Sequence, residues 1–175
     1  GAFGKVYKAV NRKTYQRLAI KEFTGCTEKE RGEIVKEQHV LEKLKHPNIV
    51  QLFEVFEWNS KLYFVMEYVE LGPISSLLDK SSDGRLPEPL VQYFIHQLLE
   101  GLQYLHEQCI IHRDIKGNNI LVNEHGVVKL ADFGVSAIME NNTKRFTVIG
   151  TPYWMAPEII EMSGHDLKSD IWSVG

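Results

Sequence analysis

The chain has 175 residues, the size of one ordinary domain or of part of a larger one. Hydrophobic residues make up 43% and charged residues 25%, a globular balance that excludes disorder along the whole length. A net charge of -3 offers no blanket basic surface to nucleic acid or anionic lipid, and apolar runs such as 63–66 are too short to cross a bilayer. Cys26 and Cys109 cannot make a disulfide framework and sit in no zinc-type pattern, so a reducing compartment is expected. The chain opens at Gly1 without a Met and stops at Gly175 in a helix-like stretch, which leads us to expect a fragment cut at both ends.

Alternation predicts strands over 5–10 and 18–23, joined by a polar turn at 11–14. A helix is predicted over 28–44, stopped by Pro47. Strands at 50–57 and 62–66 follow, with Asn59-Ser60 as their turn. Composition changes at 70–72. After a polar loop at 81–84, a long amphipathic helix is predicted over 88–107, because Leu90, Phe94, Leu98, Leu102 and Leu105 share one face. Short strands at 120–122 and 127–130 flank Glu124-His125-Gly126, and 132–158 reads as mostly irregular. The pattern is a strand-rich lobe, a hinge near 67–72 and a helical lobe.

Gly1-Ala2-Phe3-Gly4 precedes a strand, which argues against the helix-opening Rossmann and Walker loops. Lys21 closes the Ala19-Ile20-Lys21 run, where a lysine is commonly a solvated edge residue. The helix changes that weighting. Ile34, Glu37 and Leu41 share a face, and a carboxylate inside an apolar stripe needs a cationic partner. Lys21 is the natural candidate; the alternative is that Glu37 sits at the stripe's edge. His112-Arg113-Asp114-Ile115-Lys116-Gly117-Asn118-Asn119 then gathers an acid, cations and an amide, and Asp132-Phe133-Gly134 follows the last short strand.

Together and in this order, with Ala156-Pro157-Glu158 and Asp170 beyond, these motifs resemble a eukaryotic protein kinase catalytic domain over nearly the whole chain. Residues 150–158 and 112–117 resemble the STE group, which includes MAP kinase kinase kinases, germinal-centre kinases and p21-activated kinases. Residues 160–164 and 169–172 are similar to septation-type and epsilon-type MAP kinase kinase kinases. The resemblance implies an α+β bilobal fold, with an N-lobe at 1–66, a hinge at 67–72 and an incomplete C-lobe at 73–175. It implies transfer of the γ-phosphate of ATP, with Mg2+, to serine or threonine hydroxyls of protein substrates in a signalling cascade. A downstream kinase is one candidate substrate. An upstream kinase or autophosphorylation would activate the chain, and no nucleic-acid partner is expected. The absence of a targeting pattern makes the cytoplasm the expected compartment. A nucleotide-binding pseudokinase or scaffold is the competing class, but it predicts loss of Lys21, Asp114 or Asp132, and all are present. A fragment inactive on its own is the third.

The resemblance also implies residue roles. Gly1, Ala2, Phe3 and Gly4 would cover the ATP phosphates. Lys21 would hold the α- and β-phosphates, oriented by Glu37. Asp132 would ligate magnesium and Asn119 the second ion. Asp114 would take the acceptor proton and Lys116, a serine/threonine-kinase mark, would steady the γ-phosphate. Val6, Ala19 and Leu121 would sandwich the adenine, with Met66 behind it and Glu67 and Val69 bounding the backbone that meets the purine. Leu41, Leu52, His112 and Phe133 would stack between the lobes, anchored by Asp170. Thr147 would be the activating phosphosite, paired with Arg113 and with Lys144 or Arg145, while Thr151 would bridge Asp114 and Lys116. Val135 would favour a threonine acceptor. Pro73 and Asn118, where acids would favour basic substrates, imply weak basic selectivity. The family's first loop glycine, the arginine partner of Glu158 and the later helices are not in the sequence.

Overall fold

The computed structural model describes residues 4–138 and 150–175. Four antiparallel strands open the fold: β1 (Lys5–Val10), β2 (Arg17–Phe23), β3 (Leu52–Trp58) and β4 (Lys61–Glu67), in the spatial order β1-β2-β4-β3. Local chemistry sets both hairpins. Asn11 Oδ1 accepts from the Lys13 and Thr14 N–H groups, closing the first turn. Asn59 and Ser60 both take positive φ, 50° and 59°, as a two-residue turn matched to strand twist requires. Period-2 alternation then puts Lys21 and Phe23 on one face of β2, opposite Phe64 and Leu62 of β4. The Phe23 and Phe64 rings meet edge-on at 4.9 Å.

Helix α1 (Glu28–Lys43) covers that face. Thr27 caps it reciprocally: the Glu30 N–H donates to Thr27 Oγ1, and the Thr27 N–H donates to Glu30 Oε2. Its buried stripe is Ile34, Glu37, Val40 and Leu41, and it ends one residue before the predicted Leu44.

The rest of the chain is the helical part: β5 (Gly72–Pro73), α2 (Ile74–Lys80), α3 (Glu88–Glu107), β6 (Ile110–Ile111), β7 (Ile120–Val122), β8 (Val128–Leu130), β9 (Ala137–Ile138), α4 (Pro157–Ile160) and α5 (Leu167–Val174). Strand β7 pairs with β5 and β8, and β6 pairs with β9. Phe94, Leu98, Leu102 and Leu105 of α3 are buried, with Leu90 packed at the edge of the same cluster. Helix α2 and strands β5, β6 and β9 were not predicted. Helix α2 has no buried residue and no side-chain cap, and a two-residue strand has no period to detect. The stretch after 132 also holds α4 and a 3-10 turn at Pro152–Trp154. No helix among the described residues is long and apolar enough to cross a membrane.

The segment between α1 and β3 joins the two parts. Asn48, buried, donates to Val128 O at 2.9 Å and Gln97 Oε1 at 3.2 Å, while its carbonyl accepts from the Leu130 N–H at 2.8 Å. Gly101 of α3 makes room for it: a Cβ there would stand 3.1 Å from Asn48 O. The α3 stripe therefore supports both the core and this joint. Leu102→Ala, at a site 1% exposed, should lower stability by about 3 kcal/mol in urea denaturation, and Leu99→Ala, 40% exposed, by less than about 1 kcal/mol.

Candidate active site

The alternation of β2 aims Lys21 at the buried stripe of α1. Its ammonium donates to Glu37 Oε1 at 2.7 Å and to Asp132 Oδ1 at 3.3 Å, and stands 5.1 Å from the Phe23 ring centroid. The Lys21 and Glu37 side chains are only 10% and 5% exposed. Burying either charge alone would be strongly unfavourable, so each is the condition for the other. Two carboxylates can crowd one ammonium here because Gly134 has no Cβ; one would sit 3.3 Å from Asp132 Oδ1 and 3.4 Å from Glu37 Oε2. Asp132 itself takes φ 62°.

Burial alone would lower the Lys21 pKa, but Glu37 and then Asp132 outweigh it and hold it above its ordinary value. Burial pushes the Glu37 carboxyl up against the pull of Lys21, an ammonium it shares with Asp132. Partial burial raises the pKa of the half-buried Asp132, but Lys21 carries its carboxyl below the ordinary range.

The second half of the site hangs from Asp170, 1% exposed on α5. Its Oδ2 accepts from the His112 N–H and its Oδ1 from the Arg113 N–H, both at 2.9 Å, and His106 Nε2 lies 2.9 Å from Oδ2. These bonds hold a backbone in which Arg113 takes φ 68°. The His112 ring, fully buried, packs edge-on against Phe133 at 5.0 Å, and Leu41 and Leu52 are buried in the same interior. Asp114 then sits among donors. Oδ1 accepts from Thr151 Oγ1 at 2.8 Å, and Oδ2 accepts from Asn119 Nδ2 at 2.9 Å and Lys116 Nζ at 2.8 Å. Lys116 also donates to Thr151 Oγ1 at 2.7 Å, so that hydroxyl connects the lysine to the carboxylate. Burial raises the Asp114 pKa, but Lys116, Thr151 and Asn119 together bring it below the usual carboxylate value.

Lys21, Glu37, Asp114, Lys116, Asp132 and Thr151 line one cleft of about 280 Å³. Phe23, Glu33, Ile34, Gly134, Val135 and Gly150 line it too; of these Val135 was expected to face the acceptor, while Ile34 and Gly134 were named only as stripe and motif residues. Glu33 carries a readable signal, since it stands one helical turn before Glu37. Val6, Ala19, Met66, Val69 and Leu121 do not line this cleft. Val6 is exposed on β1 opposite Lys21, Ala19 pairs with Met66, and Leu121 pairs with Pro73. Val69 is buried. The Glu67 N–H donates to Gln51 O at 2.9 Å, and its carboxylate binds the buried Lys129 at 2.8 Å. Arg113 donates through Nε to Val135 O and through Nη2 to Ser136 O. Glu158 accepts from Ser169 Oγ at 3.0 Å. Gly4 is exposed at the start of β1, and a Cβ on it would stand 2.8 Å from Glu22 O. Gly1, Ala2, Phe3, Lys144, Arg145 and Thr147 lie outside the described residues.

The lowered carboxyls have a consequence for stability. A carboxyl whose folded pKa is depressed stabilises the fold above its ordinary value, and that contribution is lost as pH falls through the lowered one. Acidification from about pH 5 to about pH 2 should therefore reduce the urea midpoint of the unsubstituted chain more steeply than that of Asp114→Asn. Equal slopes would show that Asp114 is not held by Lys116, Thr151 and Asn119.

Comparison with known proteins agrees with this geometry. The sequence matches the family described as Protein kinase domain over residues 1–175. It is 46% identical over 178 residues to a Dictyostelium discoideum protein named as a probable serine/threonine-protein kinase, covering 100% of this chain and 36% of that protein. It is 46% identical over 178 residues to MAP3K epsilon protein kinase 1 of Arabidopsis thaliana, covering 100% of this chain and 13% of that one. Cytokinesis protein sepH of Aspergillus terreus is 46% identical over 175 residues, with 100% of this chain and 13% of that protein covered. The chain thus spans about a third or less of the length of these relatives. It belongs to the protein kinase domain family, and within that family it resembles serine/threonine kinases of the STE group.

Proposed function

We propose that the chain transfers the γ-phosphoryl group of Mg-ATP to serine or threonine hydroxyls of protein substrates. The observation that carries this reading is the grouping of Asp114, Lys116 and Thr151 in one cleft with the buried Lys21 and Glu37 and the half-buried Asp132. Phosphoryl transfer asks for positioning and charge neutralisation more than for covalent help from the protein. In this reading 1–66 acts as the N-lobe, 67–72 as the hinge and 73–175 as the C-lobe portion.

Lys21 would hold the α- and β-phosphates, kept in place by Glu37. Asp132 and Asn119 would hold magnesium. Both offer hard oxygen, and the Asn119 NH2 already donates to Asp114, leaving its amide oxygen for a cation. Bound magnesium would supply neutralisation of the phosphate oxygens. The acceptor oxygen attacks the γ-phosphorus, the bond from that phosphorus to the β,γ-bridging oxygen breaks, and ADP leaves. Asp114, kept ionised by its donors, orients the acceptor hydroxyl and takes its proton. Lys116 steadies the transferred group.

Gly1 to Gly4 would cover the phosphates, and Val6, Ala19 and Leu121 would enclose the adenine with Met66 behind it. Because the Glu67 N–H is taken by Gln51, the backbone donor to the purine falls to Val69, and Glu67 contributes its carbonyl. A phosphate on Thr147 would recruit Arg113, whose guanidinium now binds the carbonyls of Val135 and Ser136. A relative named as a MAP3K supports a place in a kinase cascade, with another kinase as substrate.

Incubation with labelled Mg-ATP and a generic protein acceptor should give phosphoserine or phosphothreonine. Asp114→Asn should cut transfer by about 10²–10⁴-fold with nucleotide binding retained, and magnesium chelation should abolish transfer. Nucleotide binding without transfer in the unsubstituted protein would overturn the reading. Thr151→Ser should be tolerated and Thr151→Val should not, since the hydroxyl accepts from Lys116 and donates to Asp114.

Val135 lines the cleft, and its β-branched side chain would favour threonine as acceptor. One methyl in a pocket discriminates by only ~1–3 kcal/mol, so a bias is expected and not an exclusion. With peptides differing only in Ser or Thr at the acceptor, threonine should win, and Val135→Phe should move the ratio toward serine. A serine-leaning ratio before substitution would contradict the bias and leave phosphotransfer intact.

A further inference from the structure

Arg17 opens the inner strand β2, opposite Val10 of β1 and one residue before Leu18, which pairs with Glu67. Its Nη2 lies 3.2 Å from Glu70 Oε1, 3.1 Å from Glu124 Oε1 and 3.3 Å from Glu124 Oε2. Glu70 lies toward the far end of the 67–72 hinge, and Glu124 sits in the turn between β7 and β8, 107 residues from Arg17. One guanidinium therefore bonds the four-stranded sheet to the helical part across 67–70. The Tyr68 ring, on the hinge itself, has the Arg17 cation 5.8 Å and the Lys8 ammonium 4.8 Å from its centroid.

The helical side of this contact is prebuilt. The Leu71 N–H donates to Val122 O at 3.0 Å, and the Glu124 N–H donates to Glu70 Oε2 at 3.3 Å. Asn123 Oδ1 accepts from the His125 and Val127 N–H groups, which fixes the turn. The two carboxylates are thus brought together by backbone bonds on one side of the hinge, and the cation that reconciles them comes from the other. Within the cleft, Lys21 bonds Asp132 across the same division. Arg17 does not line the cleft.

We infer that Arg17 is a positioning residue: an electrostatic clasp on Glu70 and Glu124 that holds the sheet over the helical part and so raises the population of the nucleotide-ready cleft. This rests on the reading that the cleft takes Mg-ATP. The clasp touches neither nucleotide nor acceptor, so its loss should weaken nucleotide binding and leave the chemical step alone. Lobe opening that speeds ADP release leaves kcat unchanged or higher. The groups are partly exposed, Arg17 42% and Glu124 49%, so the effect is modest and salt-sensitive.

The test measures Mg-ATP Kd by titration, with KM for ATP and kcat, on the purified protein and its variants. Arg17→Ala should raise Kd and KM about two- to five-fold without lowering kcat. Arg17→Lys should recover part of that loss. Glu124→Ala should weaken binding less, because Glu70 remains, and adding it to Arg17→Ala should weaken binding no further. Raising ionic strength should bring the unsubstituted protein toward Arg17→Ala. Unchanged Kd in Arg17→Ala, additive losses in the double variant, or a fall in kcat with KM unchanged would overturn the clasp alone. An unsubstituted protein that binds no Mg-ATP would overturn the nucleotide reading and the clasp with it.

Discussion

A buried ammonium shared by two carboxylates is the constraint on which the rest of this structure depends. Lys21 comes from the sheet, Glu37 from the helix above it and Asp132 from the segment after β8. Neither the Lys21 nor the Glu37 charge is tolerable in its place without a partner, because an unpaired buried ion loses its hydration and gains nothing. Sheet, helix and helical part must therefore all be seated for the triad to exist. The apolar packing around it, Phe23 on Phe64 and the stripe of Ile34, Val40 and Leu41, keeps water out and so raises the stakes of each contact.

Asp170 plays the corresponding part on the other side of the cleft. A single buried carboxylate takes the N–H groups of two consecutive residues and so stiffens the backbone immediately before Asp114. Asp114 is then oriented by three donors from three positions, Lys116, Asn119 and Thr151. The two halves are linked through the core by the His112–Phe133 contact and by Asn48, which bonds to β8 and α3. In the proposed reading of 67–72 as a hinge, the angle between the two parts sets how the halves of the site meet. Glu67 bonded to Lys129 and Arg17 bonded to Glu70 and Glu124 bear on that angle.

Long periodic elements were legible in the sequence. The 88–107 helix has the predicted bounds, and the Asn59-Ser60 turn was readable because its backbone demands positive φ. The Lys21–Glu37 pair was legible for a different reason: a carboxylate in an apolar stripe asks for a cation, and one stood nearby in the fold. What stayed hidden lacks local signal. Helix α2 has no fully buried residue, and β6 and β9 have two residues each. Lys129 is buried against Glu67, a partner 62 positions earlier, and no local pattern points from one to the other. Arg17 and Glu124 are separated by 107 residues, a distance over which no spacing rule speaks. The charged side of the cleft was therefore more legible than the ion pairs that set how the two parts meet.

The claim that the triad is one interdependent unit is tested most directly by a double-mutant cycle on Lys21 and Glu37. Phosphotransfer and Mg-ATP affinity would be measured for Lys21→Met, Glu37→Gln and the two combined. If each charge is the condition for the other, the double variant should be no worse than the more damaged single one, with coupling of about 1–3 kcal/mol. Losses that simply add would contradict the account, since they would mean that Lys21 and Glu37 act independently despite their 2.7 Å contact.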